Sequence, residues 1–436
     1  MKAIVTVGIV LSLLVSFAHA EEAIPEPTEQ HEKNVEMCTE NLLAIGKAIE
    51  AYQKEHGDFP AWLSDLYPKH LAEANPLQHL SEADLLLCPS DKEGGKPIYT
   101  PNTDPEMPVS YSYELNPRYR EWKTEQRKVY GDAMPIVRCR HHANEDFVAL
   151  NLSFSSRVYR SANTWEFQPE DMYESLEEAI TTLAAGIQEH PDNENLVYVY
   201  PALVRLYMKV EREEDAENLI NRYKEALKPD SIREHFVLGD MLEIMNRNEE
   251  LLQLFTKLEE LFPENRSVFR KLAEIHERLG NAELANEYRI KADPALALIG
   301  KPVPDFSATD LDGTPISLAQ YRGKVVLLDF WAVWCGPCIA EMPTVKKVYD
   351  SYKDEGFDII GISLDTDEQR LRDYLEENEI PWRQVFSGKG WESPVSRQYG
   401  IRAIPAPWLI DKDGTLITHQ ARGEKLERLV AEAVQK

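Results

Sequence analysis

The sequence predicts a multidomain protein with an α+β N-terminal domain, an all-α region of helical repeats and an α/β C-terminal domain. Its length of 436 residues corresponds to about three domains. In the middle of the chain, prolines at positions 191, 229, 263 and 294 interrupt helical sequence at intervals of 38, 34 and 31 residues. This spacing is typical of stacked helix pairs. Residues 298–436 alternate between apolar strand-like runs and amphipathic helices, which favours a mostly parallel sheet.

Charge and composition exclude several classes of protein. Lys and Arg total 48 against 75 Asp and Glu, a net charge of −27. A nucleic-acid-binding protein needs a basic surface for the phosphate backbone, so we predict no nucleic-acid partner. The apolar share of 43% is ordinary for folded domains and excludes a chain that is disordered throughout. Five cysteines are too few for a disulfide scaffold, and their odd number leaves one without an intramolecular partner.

The first twenty residues have the layout of a secretory signal peptide. Lys2 precedes an apolar run over residues 3–17, and Ala18 and Ala20 place small side chains before a cleavage site at Ala20/Glu21. The alternative, an uncleaved membrane anchor, is disfavoured because the run is short for a bilayer span. We therefore predict a periplasmic or secreted protein in an oxidising compartment.

The N-terminal domain is assigned to residues 38–165. Residues 21–37 are polar and contain prolines, so they are predicted to be a linker. A helix is predicted from Cys38 because apolar side chains recur there at three- and four-residue spacing, and strands are predicted from short apolar or alternating runs. The apolar stripe comprises Leu42, Ile45, Ile49 and Tyr52, and the strand-like runs are residues 109–113 and 146–159.

The helical region is assigned to residues 170–294. It has 15 basic and 28 acidic side chains, a net charge of −13. Two interpretations remain open for this charge: a solvated acidic surface, or a groove that binds a basic peptide or protein partner.

The C-terminal domain, residues 298–436, contains the strongest chemical signal in the sequence. The motif at residues 334–338 (WCGPC) lies between an apolar strand and a helix. Two thiols three residues apart on a first helical turn can form a disulfide, and the helix N-terminus stabilises a thiolate at Cys335. Cys335 is predicted to be exposed on this turn, and Cys338 is predicted to lie deeper and to be the resolving thiol. Strands are predicted at residues 325–330, 357–364 and 406–410, and helices at residues 339–352, 370–379 and 424–434.

Two other chemistries fit this motif less well. A zinc site needs four ligands, and the domain has no second CxxC or HxxxH motif. A peroxidase would have Pro and Thr or Ser seven and three residues before its cysteine, where this chain has Leu328 and Ala332. We predict no metal ligand and no cofactor in this protein.

Residues 329–338 (DFWAVWCGPC) resemble the thioredoxin active site. Residues 300–306 (GKPVPDF), 321–324 (YRGK) and 399–401 (YGI) make the surrounding domain similar to the TlpA/ResA branch of the thioredoxin superfamily. The resemblance implies a thioredoxin-like fold and a dithiol–disulfide oxidoreductase of the cell envelope.

Several site residues follow from the motif and this resemblance. Pro405 matches the cis proline that shapes substrate docking in the superfamily, and Ile404 and Trp334 complete the predicted substrate-binding set. Asp329 is a lone carboxylate in an apolar strand, so burial should raise its pKa and let it accept a proton from Cys338. Its alternative is a purely structural carboxylate. Glu341 lies one helical turn after Cys338 and matches an acidic residue beside the family's active site; its alternative is an exposed helix glutamate.

The N-terminal two thirds carry weaker resemblances. Motifs at residues 38–42, 57–60 and 88–91 resemble the globular part of type II secretion pseudopilins, but the long hydrophobic prepilin helix is absent. Residues 271–294 resemble a tetratricopeptide repeat.

Cys38, Cys88 and Cys139 are predicted to be structural thiols. A bridge between Cys38 and Cys88 would close about 50 residues and stabilise the fold by roughly 4 kcal/mol, although the sequence leaves the pairing open. Residues 139–142 (CRHH) offer a partial metal site, but we interpret them as a structural thiol beside surface histidines.

The predicted function is reduction of disulfides in secreted or periplasmic proteins through Cys335 and Cys338. Gly-Pro between the cysteines and the family resemblance favour reduction over oxidation. A membrane thiol transporter would donate the electrons, and the helical repeats would bind a protein partner. The alternative is an interaction scaffold in which the CxxC domain is a redox-gated binding module.

Overall fold

The computed structural model describes residues 29–74, 81–92, 94–97, 103–143, 149–162, 165 and 168–436. The predicted signal peptide, residues 1–20, lies outside these ranges. The chain divides between Arg247 and Asn248 into two compact units, and each is described by itself. Every helix within the described ranges is too short or too polar to span a lipid bilayer.

The first unit begins with an α+β domain. A long helix packs against a four-stranded antiparallel sheet of strand order β1-β2-β3-β4, and the core between them includes Leu42, Ile45 and Leu152. Gly46 of the helix faces Leu152 of the sheet so closely that a Cβ added at Gly46 would lie 3.2 Å from the Leu152 side chain. The elements are α1 (Glu29–His56), α2 (Lys69–Ala74), β1 (Ser112–Tyr113), α3 (Arg120–Tyr130), β2 (Pro135–Cys139), β3 (Ala149–Ser153) and β4 (Val158–Ser161).

Part of the predicted linker is helical. The linker was assigned to residues 21–37, but α1 begins at Glu29, so residues 29–37 belong to the helix. Val35 is buried one turn before Cys38, and Lys33 forms an ion pair with Glu29 at 2.6 Å. The apolar stripe therefore extends further back than the polar composition suggested. Residues 21–28 lie outside the described residues.

Two elements of this domain, α3 and β2, were not predicted from the sequence. The sequence of α3 is strongly charged, yet Lys123 in its middle is buried because its ammonium group pairs with the buried Glu114 carboxylate at 2.6 Å. The predicted strand at residues 109–113 is formed only by Ser112 and Tyr113, and the run at residues 146–159 contains two strands, β3 and β4. Residues 146–148 of that run lie outside the described residues.

The predicted helical region does form consecutive helices, as the proline spacing indicated. The first of them packs directly on α3: a Cβ added at Gly186 would lie 2.6 Å from the backbone oxygen of Val129. The boundary between the two units falls inside this region. The first unit contains α4 (Leu176–Glu189), α5 (Leu196–Lys209), α6 (Glu213–Ala226) and α7 (Ile232–Ile244); the second contains α8 (Asn248–Leu261), α9 (Arg266–Arg278) and α10 (Ala282–Ala292).

The helices of the second unit continue into its α/β domain. Asp293, directly after α10, accepts a 2.7 Å hydrogen bond from the His419 ring. Ala295 and Leu298 pack against the core of the α/β domain, and Ile299 forms a bridge with Leu416. The short segment after α10 therefore ties these three helices to the domain that follows.

The C-terminal domain is built on a five-stranded sheet of order β11-β10-β7-β8-β9. Strands β7, β8 and β9 are parallel, whereas β10 runs antiparallel to both β7 and β11. The sheet is thus mixed rather than mostly parallel, because β10 and β11 form a hairpin on one side. The elements are β5 (Ser307–Thr309), β6 (Pro315–Ser317), β7 (Val325–Trp331), α11 (Gly336–Tyr352), β8 (Phe357–Ser363), α12 (Glu368–Glu377), β9 (Gln384–Phe386), α13 (Pro394–Gln398), β10 (Ala406–Ile410), β11 (Leu416–Thr418) and α14 (Glu424–Val434).

Candidate active site

The two cysteines of the CxxC motif lie where the central strand β7 gives way to α11. Every residue of β7 is buried, and the strand ends at Trp331. Cys335 is the N-cap residue of α11, and Cys338 lies in the first turn of that helix. Their sulfur atoms are joined in a disulfide. The motif therefore stands at the end of a buried strand and at the positive end of a helix dipole.

The surroundings of the two sulfur atoms differ in hydrogen bonding rather than in burial. Cys335 is 4% exposed and Cys338 is 3% exposed, so the expectation that Cys335 is exposed and Cys338 lies deeper is wrong for this disulfide form. Both side chains pack into the core of the domain. However, the backbone N–H of Cys338 donates a 3.2 Å hydrogen bond to the Cys335 sulfur. A sulfur atom that accepts such a bond at a helix N-terminus is favoured as a thiolate.

Asp329 is the buried carboxylate of β7. It lies two residues before the strand ends, between Pro407 of β10 and Gly361 of β8 in the sheet register, and is 5% exposed. Burial raises the pKa of Asp329 to about 7, the negative charge of Glu341 contributes to this rise, and Arg422 opposes both effects. The predicted rise in the pKa of Asp329 is confirmed. A carboxyl group with this pKa exchanges its proton near neutral pH.

Glu341 is not the freely exposed glutamate that was the alternative interpretation. Its side chain is 19% exposed, and one carboxylate oxygen accepts a hydrogen bond from the backbone N–H of Gly423, the residue before α14. The other oxygen lies 3.5 Å from the Arg422 guanidinium. The carboxylate thus binds the N-terminus of α14 and places a negative charge close enough to affect Asp329.

Asp365 is a second buried carboxylate near the motif, and it was not predicted from the sequence. Its two oxygens accept hydrogen bonds from the backbone N–H of Val333 at 3.1 and 3.2 Å, and the Ser363 hydroxyl donates to it at 2.9 Å. Burial raises the pKa of Asp365, and these hydrogen bonds oppose that rise. The residue fixes the loop between β7 and the disulfide.

An exposed tryptophan adjoins the disulfide, and its ring lies beside that of a second exposed tryptophan. Trp334 precedes Cys335 and is 47% exposed, and its ring centroid lies 6.1 Å from that of Trp391. Trp391 was not predicted. By contrast, Trp331 is core: it is 1% exposed, and its indole N–H donates to Gln384 at 3.1 Å. An exposed aromatic pair is a surface on which an apolar segment of a partner can pack.

Ile404 and Pro405 lie at the same edge of the sheet as the disulfide loop. The peptide bond between them is cis, as the resemblance implied. Pro405 directly precedes β10, whose first residue, Ala406, is paired with Phe330 of β7. Both side chains are half-buried.

The comparisons with known proteins agree with this geometry. The AhpC/TSA family model matches residues 299–419. The thiol-disulfide oxidoreductase ResA of Bacillus thuringiensis subsp. konkukian is 36% identical over 138 residues, which cover 32% of this chain and 78% of that protein. The chain belongs to the ResA family of thiol-disulfide oxidoreductases. Its C-terminal, ResA-type domain is therefore a thioredoxin-like enzyme domain.

Other relatives match about a third of the chain. ResA of Halalkalibacterium halodurans is 33% identical over 161 residues, which cover 37% of this chain and 88% of that protein. Among solved structures, the thioredoxin domain of a thiol-disulfide oxidoreductase from Bacteroides vulgatus is 34% identical, covers 31% of this chain and 97% of its own, and has a TM-score of 0.30. The pseudopilin and tetratricopeptide resemblances rest on sequence motifs alone.

The three cysteines outside the ResA-type domain are free thiols, and all are buried. The Cys38–Cys88 bridge considered from the sequence is not formed. Nor are both neighbouring histidines on the surface, because His142 is completely buried while His141 is partly exposed. The turn that follows β2 directs the His142 ring inward, toward Cys88.

Proposed function

We propose that the protein is a dithiol reductant of protein disulfides in the cell envelope, with Cys335 as the attacking thiol and Cys338 as the resolving thiol. The observation that supports this most directly is the hydrogen bond from the Cys338 amide to the Cys335 sulfur. It stabilises negative charge on one of two equally buried sulfur atoms, and a thiolate is the nucleophile in disulfide exchange.

The reaction balances over two exchange steps. The Cys335 thiolate attacks one sulfur of a substrate disulfide, which forms a mixed disulfide and releases the first substrate thiolate. The Cys338 thiol then loses its proton and attacks the Cys335 sulfur, which releases the second substrate thiolate and forms the enzyme disulfide. The substrate gains two electrons and the enzyme loses two, so a donor dithiol must reduce Cys335–Cys338 after each cycle.

Asp329 is proposed as the base that accepts the Cys338 proton. The thiol of Cys338 is buried, and an apolar environment opposes formation of its charge. A carboxylate whose pKa is about 7 can take the proton at neutral pH and return it when the disulfide is reduced. Glu341 and Arg422 are proposed to adjust the pKa of Asp329 in opposite directions rather than to react themselves.

The substrate would dock over the disulfide on Trp334, Ile404 and Pro405, with Trp391 as a further contact. The two exposed indole rings offer apolar area to an extended or unfolded segment around a substrate cysteine. Such a surface suits protein disulfides better than small soluble ones.

The location and partners of the enzyme are part of the proposal. The signal-peptide-like sequence at residues 1–20 supports export, with cleavage at Ala20/Glu21. In an oxidising compartment the enzyme needs a membrane thiol donor to remain reduced. The acidic helical region is proposed to bind a protein partner; a cavity of about 410 Å³ between α5 and α7, lined by Val197, Pro201 and Phe236, supports a docking role.

Turnover distinguishes this function from a redox-gated scaffold. With a chemical dithiol in excess, an enzyme reduces many equivalents of a disulfide-bearing protein per chain, whereas a switch accepts electrons once. A Cys338→Ser variant should accumulate a mixed disulfide through Cys335 and thereby identify the substrate. Cys335→Ser is the matched control and should trap nothing. Reduction that stops after one equivalent of substrate would favour the scaffold.

A further inference from the structure

Four side chains with metal-binding atoms meet inside the N-terminal α+β domain. Cys38 lies on α1, Cys88 follows a short helical turn at Asp84–Leu86, and Cys139 is the last residue of β2. His142 lies in the turn after that strand. The three sulfur atoms and one imidazole nitrogen all lie within 4.8 Å of one another. The Cys88 sulfur lies 3.1 Å from His142 Nε2.

The size and burial of this cluster suit a metal ion. A tetrahedral zinc ion bound at about 2.3 Å by sulfur and about 2.0 Å by nitrogen has ligand atoms separated by roughly 3.5–3.8 Å. The cluster is therefore close to the dimensions of a closed site before any ion is added. Cys38, Cys139 and His142 are 0% exposed and Cys88 is 4% exposed, which leaves no side open to solvent.

The surroundings of His142 orient its ring for coordination. Its Nδ1 lies 3.1 Å from the Ser90 hydroxyl, which also accepts a 3.1 Å hydrogen bond from the Asn34 amide. With the proton on Nδ1, the Nε2 lone pair faces the sulfur atoms. Metal-bound histidines are held by such a bond from the second nitrogen. The Ser90 backbone N–H also donates to the Cys88 sulfur at 3.4 Å, as happens around thiolate ligands.

We propose that Cys38, Cys88, Cys139 and His142 form a structural zinc site. Three thiolates and one imidazole in a closed tetrahedral set are typical of structural Zn²⁺ and leave no open position for catalysis. A disulfide would use only two of the three thiols, whereas one ion satisfies all four groups. The ion would join α1, the loop after residue 86 and β2, so its binding energy would contribute to folding of the domain.

Metal analysis of the purified full-length chain tests this site. We expect one zinc per chain by elemental mass spectrometry, and less than a tenth of that in Cys139→Ser and His142→Ala. Two controls should keep full zinc: His141→Ala, which alters the adjacent histidine that contacts the Lys96 and Ser110 carbonyls, and the double variant Cys335→Ser/Cys338→Ser. Zinc that disappears with the CxxC cysteines instead would overturn the proposal.

A second measurement on the unmodified chain keeps the test independent of variant folding. After exchange of the bound ion for Co²⁺, the intense visible bands of tetrahedral cobalt and a sulfur-to-cobalt charge-transfer band should appear at one equivalent. Alkylation without reductant, followed by peptide mass mapping, should find Cys38, Cys88 and Cys139 as thiols after a chelator is added. A metal-free chain with a disulfide between any two of these cysteines would refute the site.

Discussion

The backbone N–H of Cys338 donates a hydrogen bond to the sulfur of Cys335, while the two cysteines are equally buried at 3% and 4% exposure. Access therefore does not distinguish the two thiols; the stability of their thiolates does. The amide and the helix N-terminus both act on the Cys335 sulfur, which makes this side chain the better nucleophile in the reduced enzyme.

Reduced protein treated with limiting iodoacetamide should accordingly be alkylated at Cys335 well before Cys338, by about tenfold or more in rate at neutral pH. Peptide mass spectrometry after short reaction times measures both rates in one sample. Equal labelling of the two cysteines would contradict the assignment of Cys335 as the attacking thiol, and faster labelling of Cys338 would reverse it.

Asp329→Asn should slow resolution of the mixed disulfide much more than attack by Cys335. The side-chain amide introduced by this substitution cannot accept the proton of the Cys338 thiol, and general-base assistance typically contributes a factor of about 10²–10⁴ in rate. Decay of a trapped mixed disulfide between pH 6 and 8 measures the resolution step. Asp358→Asn is the control, because this carboxylate on β8 is paired with Lys324 at 2.7 Å and should leave resolution unchanged. Unchanged kinetics in Asp329→Asn would make Asp329 a structural carboxylate.

The same substitution should stabilise the oxidised protein, and more so at higher pH. Burial raises the pKa of Asp329 from 3.8 to about 7, so the folded state binds more protons than the unfolded state between these values. The free energy of unfolding of the wild type therefore falls as pH rises through this window. The Asp329→Asn variant has no carboxyl group at this position, so its free energy of unfolding does not fall in this window. Calorimetry should show little difference in the free energy of unfolding between the variant and the wild type near pH 4, and a variant that is more stable by up to about 4 kcal/mol above pH 7.

The sequence predicts the ResA-type domain well because its signals are local. A run of apolar residues defines β7, the CxxC spacing defines the start of α11, and a single carboxylate among apolar neighbours predicts the raised pKa of Asp329. The mixed character of the sheet was not evident, since strand direction depends on how β10 and β11 pair rather than on their own residues.

The missed features depend on contacts between distant parts of the chain. Asp365 accepts a hydrogen bond from the loop before the disulfide, although it lies 32 residues away in the sequence. Trp391 contacts Trp334 in a fold in which the preceding strand, β9, is paired with β8. Helix α3 was missed because Lys123 is buried by pairing with Glu114, which no periodicity of apolar residues indicates. The grouping of His142 with three cysteines likewise requires α1 and β2 to be brought together.

Trp391→Ala should impair reduction of protein disulfides and spare small disulfide reagents. The exposed Trp391 ring adds apolar contact area beside Trp334, and its described ring contact is with Trp334 rather than with the sulfur atoms of Cys335 and Cys338. We expect a fall of about three- to tenfold in kcat/KM for a disulfide-bearing protein, since aromatic contacts contribute about 0.5–1.5 kcal/mol. Trp122→Ala removes a similarly exposed ring from α3 and should have no effect on either substrate. Parallel losses with both kinds of substrate would mean that Trp391 supports the fold instead.

Glu341 and Arg422 should shift the pH dependence of resolution in opposite directions. The Glu341 charge raises the pKa of Asp329, and the Arg422 charge lowers it. Glu341→Gln keeps an oxygen that can accept the Gly423 N–H but removes the charge, so Asp329 should become a base at lower pH and the profile should move to lower pH. Arg422→Gln should move it to higher pH. Stopped-flow measurement of the resolution rate from pH 5 to 9 gives the midpoint of the pH profile for each variant. Because the Arg422 side chain is 45% exposed, the shift in Arg422→Gln should be smaller than that in Glu341→Gln and should decrease with added salt. Shifts in the same direction, or none, would show that these two charges do not set the proton affinity of Asp329.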